Sequence, residues 1–365
     1  MTERNSSPRF DATGMESPIL SARDVKPIVA DLFPLNPSIY WIDLLTSTMV
    51  AYGGAWIYLS ARPYSLLQIV SFVVAGIALF RIATFMHEIA HMRRSQMRLF
   101  KIVWNVLVGV PLLTPSLFYS THADHHSNKH YGTPGDGEYL PFGSTPPSAI
   151  IRFLAIIPIV PILAILRALI LVPVSLVVPP LRGWLLECAS AAVISPTYRR
   201  RQVPAIWDPL WILTDLACFG YALSIVYFVV SGYISIMTIA MLYLLILFSI
   251  GLNWIRTLAA HRYRNDGAVV NHADQVLDSI NITGAPLLIG LLFPVGLRYH
   301  ALHHLLPSLP YHALGKADRR LMTELPADSP YLQIPRCGAV SALRQLWRDA
   351  QAAGPIGVRI RESWR

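Results

Sequence analysis

Eight of the chain's 12 histidines fall into three short runs, "HEIAH" at residues 87–91, "HADHH" at 122–126 and "HALHH" at 300–304. Imidazole serves as metal ligand, general base and titratable charge, and the spacing of these runs narrows the choice. Residues three and four apart share one face of an α-helix, so each run aims its imidazoles in one direction. The first carries His87 and His91, the second His122, His125 and His126, and the third His300, His303 and His304. Eight convergent imidazoles are too many for one zinc ion, which usually takes four ligands. Imidazole also suits iron, and two metals sharing the set would each receive four or five ligands and leave room for dioxygen. Two candidates stand for a further ligand, His261 in "LAAHRYRNDG" and His272 in "VNHADQ". His261 is preferred, because it lies about two helical turns beyond an apolar run, at a depth matching His87 beyond an earlier one.

The elements that must position these side chains are membrane helices. With 54% hydrophobic against 14% charged residues and a mean hydropathy of +0.46, the 365-residue chain is far from soluble composition and reads as an all-α integral membrane protein. Four apolar stretches, about 40–61, 64–86, 209–231 and 234–254, reach the roughly 20 residues that cross a bilayer. Short links, "ARPY" and "SGY", join them into two hairpins. Three other apolar runs are interrupted by proline: 102–120 by Pro111 and Pro115, 149–180 by Pro158, Pro161, Pro173, Pro179 and Pro180, and 283–297 by Pro286 and Pro294. Proline inside a helix removes a hydrogen bond and kinks or breaks it, so these runs are expected to form re-entrant or interfacial helices.

Each hairpin returns the chain to the side it left, which puts all three histidine runs and His261 in one histidine-rich cap. Basic residues outside the hairpins, such as Arg93, Arg94, Arg98, Lys101, Arg199 to Arg201, Arg319 and Arg320, place that cap and both termini in the cytoplasm by the positive-inside rule. The formal net charge of +9 is accordingly topology and attraction to anionic headgroups, with no nucleic-acid partner expected. Residues 1–38 read as a polar cytoplasmic tail without the apolar core of a signal peptide, 39–320 as the membrane domain and 321–365 as a cytoplasmic segment. The three cysteines lie far apart and point to neither a disulfide framework nor a thiolate metal site.

Taken together and in this order, the three runs resemble the HxxxH, HxxHH and HxxHH boxes of the membrane fatty acid desaturases and related hydroxylases, in their bacterial form. The likeness extends over about residues 40–320, and the tract "RYHALHHLLPSLPYHALGKADRRLM" is similar to the third-box region of bacterial members. It implies a multi-pass protein of the bacterial inner membrane with a nonhaem di-iron centre at its cytoplasmic face, using dioxygen and two electrons on an unactivated acyl chain. By this resemblance the iron ligands are His87, His91, His122, His125, His126, His300, His303 and His304. His261 matches an additional histidine that some members present in an "AH-any-Tyr" context, here Ala260, His261 and Tyr263. Some members carry an asparagine four residues before that histidine, where this chain has Thr257. A third box beginning with His300 rather than glutamine differs from the front-end desaturases, and the absence of an HPGG motif excludes a fused cytochrome b5 domain. The tract favours desaturation, the insertion of a double bond into a fatty acid or lipid, with hydroxylation on the same scaffold as the alternative.

Breaking an alkyl C–H bond is beyond amino-acid side chains, so a redox cofactor must do it. Carboxylates would orient the ligand imidazoles through their other ring nitrogen, and the candidates are Asp124, Asp136, Glu138, Asp274 and Asp278. Arg93, Arg94, Arg98 and Lys101 could hold the phosphate-bearing head group of a lipid or acyl thioester, unless they serve topology alone. The chain has no GxGxxG, P-loop or cysteine cluster, so a separate ferredoxin, rubredoxin or cytochrome b5 type donor is expected, docking on the basic face. Two competing readings remain. An intramembrane zinc protease would use Glu88 of "HEIAH" as general base but leave at least five boxed histidines idle. A metal transporter would place its ligands near mid-membrane rather than at span ends.

Overall fold

The computed structural model describes residues 20–353 and is almost entirely helical. Residues 1–19 and 354–365, which include much of the expected tail and the end of the expected C-terminal segment, lie outside the described residues. Helix α1 (Pro37–Ser60) starts with proline at its first position and the Asn36 side chain accepting from Ser38 N, as an N-cap does. It pairs with α2 (Leu66–His91), capped by Ser65. At the end where His87 and His91 lie, the Tyr40 hydroxyl donates to Glu88 Oε2 at 2.5 Å and Arg81 binds Asp43 through two nitrogens at 2.8 and 2.5 Å. The second hairpin is α3 (Pro209–Val230), capped by Asp208, and α4 (Ile236–Ala260), capped by Ser235.

Helices α2 and α4 meet at Gly76, whose carbonyl accepts from Ser249 Oγ at 2.9 Å. A Cβ there would stand 2.2 Å from the Phe248 ring. In lipid, small residues that let backbones approach closely drive such contacts. Gly76→Val is therefore expected to overpack the crossing and to cost about 1–3 kcal/mol. A lowered thermal midpoint in detergent is the expected result, and an unchanged midpoint would contradict the contact.

Among the described residues four helices are long and apolar enough to cross a membrane: α2, Pro147–Val177, α3 and α4. Three coincide with expected spans. The fourth differs from the expectation, because Asp43, Thr46, Ser47 and Thr48 dilute the apolar content of α1, although α1 runs the length of α2. Proline bends the Pro147–Val177 run instead of ending it, through a 3-10 turn at Ile157–Ile159 and a widened π turn at Arg167–Leu171. Its contacts trace that bend. Phe153 stacks on Trp254 at 4.2 Å, the Pro158 carbonyl accepts from Tyr243 about three turns deeper in α4, and Arg167 returns to Asp215 near the start of α3, at 2.9 Å. Arg182 reaches the same buried carboxylate at 2.5 Å, which fixes the following segment to α3.

The run 102–120 does reverse: the Asn105 side chain both accepts from Ser116 N and donates to Ser116 Oγ, each at 2.8 Å, and closes the loop that leads to His122. The expected tail, residues 1–38, takes in chain that packs on the helices. From Leu20 onward the chain packs, with Val25, Val29 and Leu32 buried and Arg320 paired with Asp31, because these apolar residues recur at helical spacing within a polar stretch. After α4, two short parallel strands, Asn281–Thr283 and Arg336–Gly338, pair beside the helix His300–Leu305. A final helix, Ala339–Ala353, buries Leu346 and Ala350 against Leu258 and Tyr263 at the end of α4.

Candidate metal centre

The elements bring all nine expected histidines together. His87 and His91 lie one turn apart at the end of α2, His122–His125 form a short helix with His126 as its C-cap, His261 follows the last residue of α4, and His300 to His304 lie on a wholly buried helix. Asn281 of the first strand holds that last helix in place by accepting from Ala301 N at 3.0 Å and Leu302 N at 3.3 Å. The nitrogens sort into two groups, His87, His91, His122, His126 and His303 in one and His125, His261, His300 and His304 in the other, each within 4.8 Å of one another. His272, the alternative to His261, starts the helix His272–Asp278 and belongs to neither.

Several Nε2 atoms point at each other at close range. His126 lies 3.0 Å from His122 and 3.2 Å from His303, while His300 lies 2.8 Å from His261 and 3.2 Å from His304. Nitrogens bound to one ion at about 2.1 Å along perpendicular directions stand about 3.0 Å apart, so these separations fit a shared ion. The Nε2 atoms of His87 and His91 are buried with no hydrogen-bond partner, a costly state unless something binds them. Burial first, and neighbouring imidazoles after it, hold His122, His126, His261, His300, His303 and His304 well below the usual histidine range. Neutral imidazoles keep the lone pairs that a metal needs.

The outer nitrogens are oriented by oxygen. His122 Nδ1 meets Glu138 Oε1 at 2.7 Å and His125 Nδ1 meets Asp136 Oδ2 at 2.9 Å. Burial opposes charge on His125, yet Asp136, then Glu138 and Asp278, outweigh it and raise its affinity for a proton. Burial pushes Glu138 up to about 7 against the pull of His125 and the Tyr119 hydroxyl. Gly132 makes the turn that delivers both carboxylates, at φ +66°, where a Cβ would strike Asn265. Asp278 acts at one remove: it accepts from Tyr131 at 2.8 Å, and the same hydroxyl lies 3.0 Å from His261 Nδ1.

Of the expected orienting carboxylates, Asp136 and Glu138 touch ligands directly, Asp278 works through Tyr131, and Asp124 turns instead to Tyr198 at 3.0 Å. Asp274 sits in the first turn of His272–Asp278. Sequence reading did not single out Tyr119, Tyr131, Gln275 or Ser279, of which Gln275 lies 3.0 Å from His304 Nδ1 and Ser279 3.2 Å from His261 Nδ1. Only their aromatic or polar type near the boxes could have marked them. Among the four basic candidates, Lys101 is engaged in closing α2, donating to the Arg93 carbonyl at 2.7 Å, whereas Arg93, Arg94 and Arg98 are exposed. Glu88 Oε2 accepts from Tyr40 and from the Tyr311 amide, the latter at 3.3 Å, while its Oε1 lies 3.9 Å from His87 Nδ1. A narrow cavity of about 40 Å³ reaches His91 and Glu88 past Gln96 and Pro307. It admits water or dioxygen and not an acyl chain.

Membrane helices carrying two buried histidine groups at one end form a candidate metal centre. The fatty acid desaturase family model matches residues 64–335, and the chain belongs to that family. It is also 40% identical over 335 residues to a ceramide hydroxylase of Caulobacter vibrioides, spanning 91% of this chain and 94% of that protein. No solved structure matches.

Proposed function

We propose that this protein hydroxylates a membrane lipid of the N-acylated sphingoid type at a di-iron centre on the cytoplasmic face. The observation that carries the reading is the sorting of nine imidazoles into groups of five and four, and the near full-length likeness to a ceramide hydroxylase supports hydroxylation and the lipid class. His87, His91, His122, His126 and His303 would hold one iron, and His125, His261, His300 and His304 the other. When bound, the metal pair supplies the activation of dioxygen that side chains lack. The balance for hydroxylation is one C–H bond, O2, two electrons and two protons giving C–OH and water. The protein's part is to keep most of the imidazoles neutral by burying them, and to aim them through Asp136, Glu138 and the Tyr131–Asp278 pair. Exposed Arg93, Arg94 and Arg98 would meet lipid phosphate or a small acidic electron carrier, whose binding should weaken as salt rises.

Desaturation is the second reading, supported by the name of the matching family. Mass spectrometry of lipids from a host expressing the protein separates the two: a gain of one oxygen supports hydroxylation and a loss of two hydrogens desaturation. Host lipids unchanged from the empty-vector control, with the donor and a sphingoid lipid supplied, would overturn both.

The protease reading is tested by Glu88→Gln. Glutamine still accepts from Tyr40 and the Tyr311 amide, so lipid product is expected to fall less than about tenfold, the span of one hydrogen bond to a charged group. A zinc protease loses its general base with that change and its activity with it.

A further inference from the structure

The final helix, Ala339–Ala353, presents sides of different chemistry. Its inner side buries Ala342, Leu346 and Ala350. Leu346 and Ala350 pack in one cluster with Leu258 and Tyr263 at the end of α4 and with Ile150 and Phe153 at the start of the Pro147–Val177 run. The helix therefore lies across the ends of two helices that are long and apolar enough to cross a membrane. One flank turns to the polar loop after His261, where Asp349 accepts from Arg264 at 3.0 Å and from Gln345 at 2.7 Å. The outer side carries Val340, Arg344, Trp347, Arg348 and Gln351, all exposed and spaced to share one stripe of the helix. Together with Leu343 they line an open groove of about 360 Å³.

Apolar surface continues beside that stripe. Ala339, Ala342 and Leu343 share a cluster with Ile289 and Phe293, which brings the helix Pro286–Leu292 alongside. That helix also touches α2, and its Leu287 and Leu288 are 79% and 55% exposed, with Leu291 open as well. Such a patch of leucines with Val340 and Trp347 is costly against water and marks a surface that is covered. Arg344 and Arg348 stand one turn apart, where like charges repel, and among the described residues neither has an ion-pair partner. An acidic protein would satisfy the arginines and leave the leucines bare. A lipid leaflet with anionic headgroups satisfies both, since tryptophan and arginine sit at headgroup level while leucines enter the acyl region.

We propose that the outer face of the final helix is a binding site for anionic phospholipid headgroups of the leaflet beside the histidine-rich cap. Arg344 and Arg348 donate to phosphate oxygens, Trp347 and Val340 lie at the headgroup boundary, and Leu287, Leu288 and Leu291 reach below it. Because Leu346 and Ala350 pack with Leu258 and Tyr263, which flank His261, this seat also braces the end of α4 from which His261 extends.

The test uses the full-length, iron-loaded protein in nanodiscs of phosphatidylcholine, alone or mixed with phosphatidylglycerol, and reads backbone hydrogen exchange across residues 339–353. Exchange is expected to be about tenfold or more slower with the anionic lipid, and the difference should shrink as salt rises. In the double variant Arg344→Gln, Arg348→Gln the difference is expected to vanish while exchange in phosphatidylcholine stays at the wild-type rate. The double variant Arg344→Lys, Arg348→Lys should keep most of it. Equal exchange in the two discs for the wild type overturns the inference, as does a full difference in the glutamine variant. Glutamine variants that exchange faster by the same factor in both discs would show a structural role and overturn it too. Slowing by an added acidic ferredoxin in phosphatidylcholine discs, without any effect of anionic lipid, would make the face a protein dock instead. The readout involves no lipid oxidation, so each result leaves the proposed reaction standing.

Discussion

His303→Ala is expected to abolish lipid oxidation and to empty one of the two metal positions. His303 is the one third-run histidine in the group of five, with Nε2 3.2 Å from His126 and its ring 4.4 and 4.5 Å from His87 and His91. It therefore ties the helix His300–Leu305 to the end of α2. Loss of a residue that merely orients a ligand costs about 10–100-fold in metal affinity or activity, and loss of the ligand itself should exceed that. Alanine also leaves a buried void beside four imidazoles that repel any shared charge. Expected readouts are product below about 1% of wild type and about half the wild-type iron per chain. Wild-type product at wild-type iron would remove His303 from the centre.

Asp136→Asn is expected to have the next largest effect, about 10–100-fold in activity, with iron lost from the group of four. Asp136 is fully buried and accepts three hydrogen bonds, from His125 Nδ1 at 2.9 Å, Gly132 N at 3.0 Å and Glu138 N at 2.9 Å. All three require an acceptor. Asparagine offers one oxygen and an NH2 group, so at least one donor among them faces another donor in a place water does not reach. The His125 ring loses the partner that fixes its orientation, and the neighbouring Glu138 loses the anchor of its backbone. Measured iron and rate equal to the wild type would show that His125 is aimed by packing alone.

The box histidines were legible because helical spacing gathers each run at one place, and the choice of His261 over His272 followed from its distance beyond an apolar run. The five-and-four division was not legible. It depends on His125 parting from His122 and His126, and on His303 parting from His300 and His304, within runs that no spacing rule separates. Tyr131 escaped for a related reason: its partners are set by tertiary packing, its hydroxyl and His261 being 130 residues apart. The fold was readable in its two hairpins and less so at its margins. Prolines in the run 149–180 suggested breaks where the chain bends and continues through 3-10 and π turns to Val177. At the N-terminal end, polar neighbours hid the apolar face of Val25, Val29 and Leu32.

The central claim is that the two histidine groups hold two irons. Elemental analysis of the purified protein, with zinc counted beside iron, tests it most directly. The account predicts close to two irons per chain and negligible zinc, with both irons lost together with lipid oxidation on chelation. One zinc per chain, or full lipid oxidation at less than one iron per chain, would contradict it.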